Sequence, residues 1–227
     1  MLRARFRIKE KEETKAGMGM SYALGTQLHT WIQKTAASLL VGVWKCRRCG
    51  LRTDADGSLR VPMPKQCPRC LNSKFKYFER KYYDADYLIG GHPDGFRRVV
   101  DGDPSEDEVL EFKGLAEYPW KSMEQPWQSW IEQIQTYMWL CKLKRGRVIV
   151  FNKNGSGNTP KNWIKEFSIG EDEHELRIIK RRIEVTRTGL RLNVLPRRIC
   201  TTDKCERAED CYTKGQCFDT QEGMTDA

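Results

Sequence analysis

The apolar positions of this chain change their spacing several times, and each change marks an element. In "SYALGTQLHTWIQKTAASLLVGVW", Leu24, Leu28, Trp31 and Leu39 approximate one helical face, which predicts a helix over about 22–40. The next stretch, "CRRCGLRTDADGSLRVPMPKQCPRC", is rich in glycine, proline and charge and reads as a small insertion. Short aromatic and aliphatic runs in "KFKYFERKYYDADYLIGGHPDGFRRVV" predict strands. "DGDPSEDE" reads as a turn and "VLEFKG" as a further short strand. In "EQPWQSWIEQIQTYMWLCKLK", Trp127, Trp130, Ile134, Tyr137 and Cys141 are spaced for a helix that follows a proline. "RGRVIVFNK" reads as a buried strand, with "NWIKEFSI" its hairpin partner across "NGSGNTP". A charged helix is expected over 171–190, a loosely packed arm over the first 20 residues, and a polar, cysteine-bearing tail at the end.

The chain has 227 residues, enough for one core domain of about 150 residues and a small appendage. Lys and Arg number 40 against 31 acidic residues, and the net charge of +9 favours an anionic partner, most often nucleic acid. No apolar run approaches the roughly 20 residues of a membrane span. The charged start has no signal-peptide centre, so a reducing cytoplasm is expected, where the nine cysteines stay unpaired as disulfides. Eight of the nine fall into two groups of four, which predicts two metal sites. Cys141 stands apart in an apolar helix and reads as a buried, inert thiol.

Cys46-x-x-Cys49 and Cys67-x-x-Cys70 have the spacing of two knuckles that supply four thiolates to one zinc. Four thiolates leave no open coordination position, so this zinc ribbon is expected to be structural. Arg47, Arg48, Arg52, Lys65 and Arg69 surround it, and they read either as a solvated face or as a grip on nucleic-acid backbone. The second group, Cys200, Cys205, Cys211 and Cys217, contains no Cys-x-x-Cys, and its loose spacing suits either zinc or an iron–sulfur cluster.

An acidic set interrupts the basic chain. Glu111 and Lys113 are two apart on a strand and face the same way. Asp94 precedes the turn by about as much as Glu111 follows it, so a hairpin sets the two carboxylates almost opposite each other. Paired carboxylates are unfavourable unless a positive charge lies between them, and magnesium or manganese fits that role. Metal-assisted phosphodiester hydrolysis is the chemistry that uses such a set, with Lys113 orienting water, stabilising charge or acting as base.

"GHPDG" followed by "LEFKG" resembles the Asp…Glu-x-Lys signature of the PD-(D/E)XK nuclease superfamily. "GTQLH" resembles the Gly-x-x-x-His of its RecB-like branch, with His29 in the histidine position. "QIQTY" resembles that branch's Gln-x-x-x-Tyr, with Gln133 and Tyr137. The branch includes the CRISPR-associated iron–sulfur exonucleases and phage relatives, and the match covers roughly residues 22–150.

The resemblance implies an α/β restriction-endonuclease-like core, a central mixed sheet flanked by helices. His29, Asp94 and Glu111 would hold magnesium or manganese, Lys113 would be the catalytic lysine, and Gln133 and Tyr137 would line the site. It favours a 4Fe-4S cluster over a second zinc at Cys200, Cys205, Cys211 and Cys217, although the branch draws one ligand from early in the chain and this sequence has all four late. It also implies a bacterial or phage-infected host cytoplasm and a part in recombination, repair or phage genome processing.

On the bland side, His29 reads as an ordinary helix histidine and Tyr137 as a core aromatic. His92 shares a strand face with Asp94 but is not taken as a ligand, and Lys153 reads as a phosphate contact or plain surface. Trp120 and Trp127 read as stacking platforms or as core.

The expected organisation is an arm and first core helix over 1–45, the zinc-ribbon insertion over 46–70, the nuclease core over 71–195, and a metal-binding tail over 196–227. The expected activity is metal-dependent cleavage of DNA by an exonuclease on single strands or duplex ends, with recombination or replication proteins as partners. Two rivals stand: a non-catalytic nucleic-acid-binding module, and an endonuclease or junction resolvase on the same fold.

Overall fold

Leu40–Cys46, "LVGVWKC", forms the first strand, β1, and is buried on both faces over most of its length. That double burial explains a departure from expectation. The helix predicted over about 22–40 is helical at residues 27 and 29–35 (α1), and residues 36–39 are a turn. Hydrophobic period alone cannot separate a short, fully buried strand from a buried helix, and β-branched Val41 and Val43 with aromatic Trp44 favour the strand.

The computed structural model describes residues 27, 29–57, 59–99, 103–153, 163–192 and 204. The chain divides into two units, Ser21–Lys180 and a second made of Met1–Met20 with Arg181–Ala227. The acidic cluster and the knuckle cysteines lie in the first unit.

After β1 come β2 (Val61–Pro62), β3 (Phe75–Phe78), β4 (Tyr82–Asp84), β5 (Ile89–Gly91) and β6 (Gly95–Arg97). Then follow β7 (Glu108–Leu115), helices α2 (Glu117–Ser122) and α3 (Gln128–Cys141), β8 (Arg145–Asn152), β9 (Ile164–Gly170) and α4 (Glu173–Leu192). The main sheet has the order β2-β1-β6-β7-β8-β9, with β3 paired to the second half of β1. β6 and β7 are antiparallel, β7 and β8 parallel, and β8 and β9 antiparallel. The parallel step needs a long crossover, which α2 and α3 supply. α2 had no counterpart in the sequence reading. β4 and β5 form a separate hairpin.

Alternation along β7 divides the core into two. Val109 and Leu115, with Val148 and Val150 of β8, pack with Trp130, Ile134, Met138 and Cys141 of α3. Leu110 and Phe112, with Phe151, pack with Ile32 of α1, Trp44 and Tyr77. The sheet is therefore mixed and flanked by helices. Ile134 is fully buried, and truncating such a side chain to alanine costs about 2–5 kcal/mol. β7 is thus pinned through both faces, which is why charged groups on it are held so firmly.

Candidate active site and cysteine metal centre

The pairing of β6 with β7 sets Gly95 against Leu110, Phe96 against Val109 and Arg97 against Glu108. One step further along the same antiparallel register puts Asp94 across from Glu111. Both are buried, at 7% and 3% exposure. Asp94 Oδ2 accepts the backbone N–H of Phe112 at 2.7 Å, so its carboxylate is tied to the strand that carries Glu111 and Lys113.

His29 enters from α1. Its Nδ1 lies 3.3 Å from Asp94 Oδ1, and its Nε2 lies 3.0 Å from the carbonyl oxygen of Phe112. Two acceptors facing both ring nitrogens favour the imidazolium. The Asp94 hydrogen bond raises the His29 pKa above its ordinary value, and burial only partly opposes it. Gln33, one turn further along α1, donates its amide to the Asp94 carbonyl at 3.0 Å and to Glu79 Oε1 at 2.6 Å. Two residues of one helix face thus hold Asp94 at its carboxylate and at its backbone.

On the other side of Glu111 a chain of polar contacts reaches α3. Lys113 Nζ donates to Glu111 Oε1 at 2.7 Å and to Gln133 Oε1 at 2.8 Å. Gln133 donates its amide to Glu111 Oε1 at 2.8 Å and to the Tyr137 hydroxyl at 3.0 Å. Gln133 and Tyr137 are four apart, hence one above the other on the helix. Tyr137 lies so close to β5 that a Cβ on Gly91 would meet its Cε1 at 2.4 Å. Only glycine leaves that ring in place.

Both contacts to the Glu111 carboxylate use Oε1. Glu111 Oε2 is buried and has no hydrogen-bond partner. Burial first, then the Asp94 charge, pushes the Glu111 carboxyl up to about 7, against the pull of Lys113 and His29. A buried, orphaned carboxylate oxygen beside a second carboxylate is an arrangement a hard cation satisfies. Carboxylate oxygens are the donor type that magnesium or manganese takes. His29 as it stands has both nitrogens on protein acceptors, so ligation by it requires loss of its proton and one of those contacts.

The sequence reasoning named all six of these side chains, and the fold brings them together. It missed Gln33, Glu79 and Gly91, whose only signal was the one-turn spacing of Gln33 from His29 and the glycine pair before His92. His92 itself is exposed and turns its Nδ1 to the Glu79 carbonyl at 3.3 Å, outside the cluster. Lys153 packs on the other face of β7, where its Cε lies 2.6 Å from the place a Gly114 Cβ would occupy. Trp120 is a core residue, 6% exposed, with its indole N–H donated to the Val150 carbonyl.

Cys46, Cys49, Cys67 and Cys70 bring their sulfur atoms within 4.8 Å of one another. Cys46 and Cys70 are 3.6 Å apart, and Cys49 and Cys67 are 3.5 Å apart. The edge of a sulfur tetrahedron around zinc is about 3.8 Å, for bonds of about 2.3 Å. The two knuckles repeat one backbone pattern. Cys46 N–H bonds the Leu51 carbonyl and Gly50 N–H bonds that of Cys46; Cys67 N–H bonds the Asn72 carbonyl and Leu71 N–H bonds that of Cys67. Each turn closes in the left-handed region, at Gly50 (φ 75°) and Leu71 (φ 58°). The Cys49 backbone N–H chiefly holds the Cys46 thiol down at about 6. The Asn72 N–H lowers Cys70 as well, but burial and the three neighbouring thiols outweigh it and push Cys70 up to about 12. These four residues could hold a metal ion such as zinc. Cys200, Cys205, Cys211 and Cys217 lie outside the described residues.

No family model matches the chain, and no curated protein does. Among solved structures it is similar to SSO0001, at 18% identity and a TM-score of 0.40, over 86% of this chain and 71% of that one. It is also similar to the alkaline exonuclease LHK-Exo of Laribacter hongkongensis, at 15% identity and a TM-score of 0.36, over 47% of this chain and 51% of that one. The complex of LHK-Exo with dAMP matches at 17% identity and a TM-score of 0.43, over 81% of this chain and 72% of that one. Likeness at this level carries no residue role and no substrate over to the present chain. Among the described residues, no helix is long and apolar enough to cross a membrane.

Proposed function

We propose that this protein is a divalent-metal-dependent deoxyribonuclease, an exonuclease acting on single-stranded DNA or duplex ends, of the kind its motifs resemble. The observation that carries the reading is Glu111: a buried carboxylate, opposite Asp94, with Lys113 and Gln133 on one oxygen and nothing on the other. A buried carboxylate oxygen without a protein partner is the kind of group a bound cation satisfies. Asp94 and Glu111, with His29 after loss of its proton, would hold magnesium or manganese. The bound ion would supply Lewis-acid charge and an acidified water for attack on phosphorus.

The chain's own groups then have separate tasks. Asp94 is oriented by the Phe112 N–H and by Gln33. Gln133 holds Lys113 through its amide oxygen and Glu111 through its amide nitrogen, with Tyr137 buttressing the amide. Lys113 is the cation available to orient water or to meet charge developing on the phosphate. The net charge of +9 supports a polyanionic substrate.

The four knuckle cysteines are assigned a structural zinc. The four late cysteines are assigned a 4Fe-4S cluster, with a second zinc as the alternative. A cytoplasmic setting and a role in recombination, repair or phage genome processing follow only from the motif resemblance.

The deciding experiment incubates end-labelled linear and circular single-stranded DNA with the protein and magnesium or manganese. The expected result is degradation of the linear strand, abolished by chelator and by Glu111→Ala. Cleavage of the circle would replace the exonuclease with an endonuclease. Binding without any cleavage, unchanged in Glu111→Ala, would leave only the non-catalytic binding module.

A further inference from the structure

We propose that Trp127 is a stacking platform for a nucleobase of the strand whose backbone enters the acidic site, a proposal that rests on the nuclease reading above. Trp127 immediately precedes α3 and is 41% exposed, although an indole is among the largest apolar surfaces a protein can bury. Its ring lies against that of Trp130, with centroids 4.5 Å apart and planes inclined by 39°. Trp130 is itself held in the core, 8% exposed, beside Ile134 and Val150. The Lys113 ammonium sits 5.9 Å from the Trp130 ring centre and 2.7 Å from Glu111. A solvent-facing indole is therefore joined through one buried ring to the lysine of the acidic site. A few nucleotides, at about 3.4 Å each along a stacked strand, cover that separation.

The bland role for a residue at this position is capping the helix, and Trp127 does not fill it. It makes no side-chain capping bond, and helix starts favour Ser, Thr, Asp or Asn there. The two residues that follow it, Gln128 and Ser129, are exposed and polar. Trp120 shows the contrast: buried, with its N–H satisfied by the backbone. Stacking on an aromatic plate accepts any base, which suits an enzyme that must advance along arbitrary sequence.

Binding is measured in a Glu111→Ala background by the anisotropy of a fluorescein-labelled oligothymidylate and of the same oligomer with abasic sites throughout. Adding Trp127→Ala should weaken binding of the oligothymidylate about tenfold, with Trp127→Phe keeping most of the affinity. The abasic oligomer should bind all three proteins alike, and all three should be folded at the assay temperature, Trp127→Ala melting lower only by the loss of its contact with Trp130. Equal affinities of Trp127→Ala and its parent for the oligothymidylate would overturn the proposal. So would equal weakening toward both oligomers. Cleavage by the wild type is read separately: a protein that never cleaves but discriminates the oligomers through Trp127 loses the nuclease reading and keeps the platform, and one that cleaves without discriminating does the reverse.

Discussion

Glu111 and Lys113 meet through a single carboxylate oxygen. Lys113 Nζ is 2.7 Å from Oε1, and the other oxygen of the same buried carboxylate has no partner. Glu111→Ala is expected to lower cleavage below detection while DNA affinity at fixed salt changes less than about threefold, because the basic surface remains. Lys113→Ala should do the same to cleavage. Filter binding and a gel assay on one preparation check both. Wild-type cleavage rates in Glu111→Ala would remove the carboxylate from the active site.

The same oxygen pair gives a pH signature in protein stripped of metal. Glu111 keeps its proton in the folded chain up to about 7, where the unfolded chain releases it near 4.5. Between those values the folded state binds more protons, so stability falls as pH rises and stays lower above the window. His29, also raised, adds stability that is present below its ordinary 6.5 and is lost as pH climbs through its folded value. Both act in the same direction. Glu111→Gln removes the carboxylate's contribution and should melt a few degrees above wild type at pH above about 7, with the gap closing toward 4.5. A constant gap across the pH series would contradict the buried-carboxylate account.

The two knuckles make the same demand on one residue each. Gly50 meets the left-handed backbone without strain, whereas Leu71 adopts φ 58° and is 71% exposed. Leu71→Gly should stabilise the zinc-loaded protein by about 1 kcal/mol, since a side chain there costs roughly 1–2 kcal/mol. Cys49→Ser should lose one zinc and become sensitive to protease over the knuckles. Metal analysis and limited proteolysis test the second claim, thermal melting the first. Equal zinc in wild type and Cys49→Ser would reject the site.

In the proposed cytoplasmic setting the four cysteines within the last 28 residues are disfavoured as disulfides, and the proposal gives them a metal. Protein purified without oxygen should be brown, with a visible band that bleaches on reduction and several iron atoms per chain. Cys211→Ser should lose the colour and retain the knuckle zinc. A colourless anaerobic preparation with two zinc ions per chain would exclude the cluster and leave a zinc-bound tail.

Local chemistry made much of this protein readable. Alternation along "VLEFKG" already put Glu111 and Lys113 on one face, and the four-residue step from Gln133 to Tyr137 already stacked them on a helix. The turn between Asp94 and Glu111 predicted their opposition, and the β6–β7 register carries it out. The cysteine spacings predicted one cluster of four, and those thiols gather.

What sequence could not decide were choices made by partners distant along the chain. The apolar run at 39–44 has no period to tell helix from strand. It becomes β1 because neighbouring strands satisfy its backbone and both its faces are covered. Gln33 and Glu79, or Gly91 and Tyr137, are separated by 46 residues in each case, and no local pattern links them. Only the packed sheet brings such groups within reach, because close packing and the cost of unmet buried polar groups act between residues that are neighbours in space and distant along the chain.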